Sequence, residues 1–144
     1  MDFSLPADLV SYLARLDAFI AAEIAPLQAE DDNQRFFDHR REWARTDFEG
    51  GGLPRREWED LLREARRRAD RAGFYRFSLP REYGGNGGSN LWMAVIREHL
   101  ASQGLGLHND LQTPGVAEHL WATTLAKVAI DQPTYASYRR ETGA

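Results

Sequence analysis

Between Ala72 and Asn90 the chain reads AGFYRFSLPREYGGNGGSN, and this stretch constrains the fold more than any other. Gly73 can adopt the left-handed conformation that ends a helix, and Pro80 starts a turn. The glycines at 84, 85, 87 and 88 allow a tight bend, and Ser89 or Asn90 can cap a new helix by accepting a first-turn N–H. An extended apolar piece, Phe74 to Leu79, lies between. A chain punctuated in this way joins two helices through a short ordered connector. It leaves no room for a long strand.

Helical spacing recurs on both sides of the connector. Leu9, Leu13, Leu16, Ile20 and Ile24 repeat at steps of three or four, so a helix over about 6–30 should bury one face. Val10, Phe19 and Leu27 broaden that face. Ser4 is placed to cap its start, and Pro26 should kink or end it. Residues 31–52 alternate aromatics with charges and predict a partly helical excursion that docks its rings and ends at Gly50–Gly52. A helix opening near Pro54 should bury Trp58, Leu61, Leu62, Ala65, Ala69 and Ala72. The next, from Ser89 to about Gln103, should bury Leu91, Ala94, Val95 and Leu100. A further helix starts at Thr113–Pro114 with Val116, Leu120, Leu125 and Val128 inward. A short segment follows Pro133. The expected class is all-α, an orthogonal helical bundle forming one domain over 1–144.

Composition excludes several functions. The chain has 144 residues and no cysteine, which removes disulfides, thiolate metal sites and thiol catalysis. Its net charge of −4 argues against a general nucleic-acid binder. No apolar run approaches the roughly 20 residues that span a bilayer. Met1-Asp2-Phe3-Ser4 lacks the basic start of a signal peptide, so the chain reads as cytoplasmic, with no membrane partner.

The charged motifs have ordinary readings. Arg63, Arg66, Arg67, Arg68 and Arg71 alternate with Glu57, Glu59, Asp60, Glu64 and Asp70, the pattern of a solvated face rather than of a nucleic-acid surface. His39, His99, His108 and His119 fall at no metal-ligand spacing, so no metal is expected. The Gly-rich bend lacks the last glycine of GxGxxG and the lysine of a P-loop. It reads as a turn, not as a phosphate cradle.

The segment AGFYRFSLPREYGGNGG resembles the signature of the N-terminal helical domain of flavin-dependent acyl-CoA dehydrogenases, in which an apolar triplet, a Pro, a YGG and a further Gly follow an AG pair. The likeness covers about residues 9–112, and the tail from 113 diverges. It implies a domain of an FAD-dependent system that desaturates acyl-CoA thioesters, with acyl-CoA as substrate. Its partners would be a β-domain and a C-terminal helical domain, or further copies of the chain. In the family those other domains supply most flavin contacts and the glutamate base. None of this chain's carboxylates takes that role, no catalytic residue is assigned, and the chain alone should be inactive and hold FAD poorly. By position the resemblance carries substrate binding over to His108, Asn109, Leu111 and Gln112, on a rim facing outward, with Leu111 an exposed apolar wall and the others polar lining. The alternative is a stand-alone, non-catalytic helical interaction module derived from the same fold.

Overall fold

Pro26 shapes the first helical run. It has no N–H, and its ring crowds the carbonyl four residues earlier. In the computed structural model, which describes residues 4–112, α1 (Ala7–Phe19) opens into a wide π turn, Ile20–Ile24, just before that proline. Helix α2 (Ala25–Ala29) then carries Pro26 in its first turn, where no N–H is needed. The run thus bends through Pro26 and ends at Ala29. Its apolar stripe is buried as the spacing predicts, with Leu9, Leu13, Leu16, Ile20, Ile24 and Leu27 in the core. Two details differ: Pro6, not Ser4, occupies the N-cap position, and Val10 faces solvent.

The excursion begins with a sharp reversal in which Asp31 and Asp32 both take left-handed conformations, φ 45° and 59°. Both lie inside the segment Glu30–Phe36, otherwise 3-10, and helix α3 (Arg41–Arg45) comes next. Two-residue strands β1 (Thr46–Asp47) and β2 (Leu53–Pro54) pair antiparallel, a small ladder that the sequence did not suggest. Phe36 and Phe37 enter the core against Trp58, with ring centroids 5.3 and 5.8 Å away. Arg45 fastens the excursion by lying over the Trp58 ring at 4.3 Å while its Nε donates to the Phe36 carbonyl at 2.7 Å. Trp43 and Phe48 instead meet at a tilt, ring centroids 4.7 Å apart, and both are exposed.

Helix α4 (Arg56–Arg71) buries Leu61, Ala65 and Ala69, while Ala72, expected inward, is exposed. It ends as Gly73 predicts. Gly73 has φ 81°, its N–H reaches the Asp70 carbonyl, and the Phe74 N–H reaches Ala69. That pair of bonds is the Schellman arrangement. The outer face of α4 is tied in ion pairs, Glu64 to Arg67 and Arg68, and Asp60 to Arg63. Helix α5 (Asn90–Ser102) is capped by Ser89, whose Oγ accepts the Trp92 N–H at 3.2 Å. Its buried stripe is Met93, Ile96 and Leu100, not the predicted Leu91 and Ala94, which face solvent. His99 Nε2 lies 2.7 Å from Asp17 Oδ1 and joins α5 to α1.

The result is a mostly helical unit whose core joins α1, α2, α4 and α5 with the docked phenylalanines. The predicted helix over Thr113–Val128 and the segment after Pro133 lie outside the described residues. No helix among the described residues is long and apolar enough to cross a membrane.

Candidate functional site

The connector after α4 is a packing device. Every free N–H of its Gly-rich part is committed to a backbone carbonyl: Gly85 to Pro80, Asn86 to Arg76, Gly87 to Leu79 and Gly88 to Phe77. A pyrophosphate would find no free N–H among Gly85–Gly88, because an anion cradle needs N–H groups pointing at the ligand. The bend therefore does not fit the phosphates of a dinucleotide cofactor. Gly85 is needed for close approach rather than for an unusual φ, since a Cβ there would meet the Leu79 carbonyl oxygen at 2.0 Å. Tyr83 is 45% exposed and does not anchor the bend through its ring.

Downstream, Gly104 turns the chain out of α5 with φ 87°. Residues Leu107–Asp110 then form a 3-10 turn. Leu107 and Leu111, one turn apart, both point into the core and are fully buried. This corrects the expectation that Leu111 is an exposed wall residue. Leu107 opens the turn and Leu111 closes it as its C-cap residue, and both side chains join the core cluster. His108 and Asn109 are what it leaves at the rim, His108 half-buried and Asn109 exposed. The Asn109 Nδ2 donates to the Gly104 carbonyl at 2.9 Å and lies 3.2 Å from His108 Nε2. Gly106 makes room for that ring, because a Cβ there would sit 2.6 Å from the imidazole.

Gln112, expected as polar lining, is buried, and neither end of its amide finds a hydrogen-bond partner among the described residues. An unpaired buried amide is costly, about 1–3 kcal/mol. Asp110 is half-buried, and burial raises its carboxyl above the ordinary value, opposed by the charges of Arg66, Arg45 and His108.

His108 overlooks a cleft of about 260 Å³. Its apolar lining comes from the π turn and α2, through Ile20, Ile24, Ala25 and Ala29. Gln28, Gln34 and Gln103 share the polar side with His108. The Gln103 Nε2 donates to Asp17 Oδ1 at 2.9 Å. A wide π turn beside a cleft is a recurrent feature of functional sites. The three glutamines escape sequence reasoning because they lie far apart in the chain and share no spacing. The cleft brings together an apolar lining, amides and the His108 imidazole, and no carboxylate lines it among the described residues. Such a lining suits an uncharged chain with a polar attachment better than an anion or a metal. No cluster of metal-ligating side chains occurs among the described residues.

No curated protein and no solved structure matches the chain. A family model does, that of the acyl-CoA dehydrogenase N-terminal domain, over residues 30–129. The match takes in the excursion, α4, the Gly-rich connector, α5 and the His108 turn, the elements that carry the motif and the cleft rim. The chain belongs to the acyl-CoA dehydrogenase N-terminal domain family.

Proposed function

We propose that this chain forms one wall of the acyl pocket of an FAD-dependent acyl-CoA oxidoreductase, acting on the α,β-bond of an acyl-CoA, and that it is inactive by itself. The observation that carries the reading is the cleft beneath His108, apolar along Ile20, Ile24, Ala25 and Ala29 and edged by the amides of Gln28, Gln34 and Gln103. His108 and Asn109 are the wall residues that reach the surface. Leu111 and Gln112 follow them in the chain and are buried, Gln112 with an unpaired amide. Their work is to orient the acyl chain and exclude water, which strengthens the electrostatics of the reacting site. FAD would supply the hydride acceptor. The committed N–H groups of the Gly-rich bend support placing its phosphate contacts away from that bend, on a partner β-domain.

Titrating the full chain, isotopically labelled, with butanoyl-CoA tests this reading. The largest amide shifts should fall at His108 and Asn109 and shrink in His108→Ala. Added FAD should separate from the chain on gel filtration, and an electron-accepting dye should stay oxidised. Shifts confined to other surfaces would sink the pocket assignment. A chain that keeps stoichiometric flavin and reduces the dye would overturn the claim that it is inactive alone.

A further inference from the structure

Gln28 lies on α2, two positions before the family match begins, and belongs to none of the motifs. Its amide nevertheless makes two bonds in opposite directions. The Oε1 accepts the Leu107 N–H at 2.8 Å, and the Nε2 donates to Gln34 Oε1 at 2.9 Å. A backbone N–H can be met only by an oxygen, so the Leu107 bond fixes which way the amide points. The turn starting at Leu107 has Gly106 at its N-cap position, with no side chain to offer an acceptor. Gln28 supplies that acceptor from another element. On its other side it closes across the reversal at Asp31 and Asp32, two non-glycine residues in a sparsely populated conformation. That reversal is held further by Asn33 Nδ2 on the Leu27 carbonyl and by Arg35 Nη1 on the Asp31 and Asp32 carbonyls. Gln28, Gln34 and His108 all line the same cleft.

We propose that Gln28 is a positioning residue for His108. Braced against Gln34, it caps the Leu107–Asp110 turn from outside and so sets where the imidazole stands over the cleft. The purpose of this arrangement rests on the pocket-wall reading; the arrangement itself does not.

Gln28→Leu removes both bonds, and Gln28→Glu keeps an oxygen for the Leu107 N–H. In the full chain, Gln28→Leu should make Leu107 amide exchange at least tenfold faster and move the His108 ring resonances. Exchange at Leu16 and Ile96 should change less than twofold. Gln28→Glu should restore Leu107 protection. Binding of butanoyl-CoA should weaken at least threefold in Gln28→Leu. The proposal is overturned if Gln28→Leu leaves Leu107 and His108 as in the parent. It is equally overturned if Leu16 and Ile96 lose protection as much as Leu107, which marks a purely structural residue. Should Gln28→Leu not fold, Gln34→Leu decides: the His108 resonances must move, and an unmoved ring refutes the brace. A parent chain whose His108 ignores butanoyl-CoA refutes the pocket wall, while the exchange and ring data still decide the positioning role.

Discussion

A Cβ on Gly85 has nowhere to go, because the Leu79 carbonyl oxygen, a backbone atom, would lie 2.0 Å away. Gly85→Val should therefore cost about 1–3 kcal/mol or more through overpacking and a displaced loop. Tyr83→Ala, at an exposed ring, should stay within about 0.5 kcal/mol of the parent. Thermal melts of the two variants separate these outcomes, and equal losses would contradict the close-approach account. Asp110 gives the pH dependence. Its carboxyl is raised by burial, so the folded chain holds the proton more tightly than the unfolded one. That stabilising contribution is complete below the ordinary carboxylate value, about pH 4, and is lost as pH rises through the folded value. Asp110→Asn should accordingly melt higher than the parent near neutral pH and match it at about pH 3, where both side chains are uncharged. A lower melting point near neutrality would show instead that attraction to Arg66 and Arg45 outweighs burial.

Among the elements, α5 shows where periodicity loses its power. The run Leu91-Trp92-Met93-Ala94-Val95-Ile96 is apolar on every side, so two stripes fit it equally well. Packing chooses Met93, Ile96 and Leu100, and leaves Leu91 72% exposed. Ile96→Ala should cost about 2–5 kcal/mol by opening a cavity. Leu91→Ala should change stability by less than about 0.5 kcal/mol. Denaturant titrations would reverse the assignment of faces if Leu91→Ala proved the more damaging. Where apolar and polar residues alternate cleanly, as in α1 and α4, the buried faces follow the sequence closely. The ends of elements are legible for the same reason that they are stable: Gly73, Ser89 and Gly104 each have a specific backbone task. The π turn and the β1–β2 pair carry no comparable local signal. One answers to the ring of Pro26, and the other to the docking of a short loop.

At the scale of the molecule, the helical class and the family were both readable from residues 72–90 and the stripes around them, and the match over residues 30–129 bears them out. The cleft was not, because its glutamines come from α2, the 3-10 segment after it and the end of α5. Only folding brings them together. The direction of Leu111, expected outward, was not readable either, because packing at the end of the turn seats that side chain in the core. The central claim is that the cleft under His108 receives an acyl chain. Photolabelling tests it most directly: the full chain is irradiated with a short acyl-CoA carrying a diazirine on its acyl end, and the adducts are mapped by mass spectrometry. Adducts should fall on His108, Asn109 and the cleft residues Ile20, Ile24 and Gln34, and excess butanoyl-CoA should suppress them. Adducts concentrated on the exposed Trp43 and Phe48, or unaffected by competitor, would contradict the account.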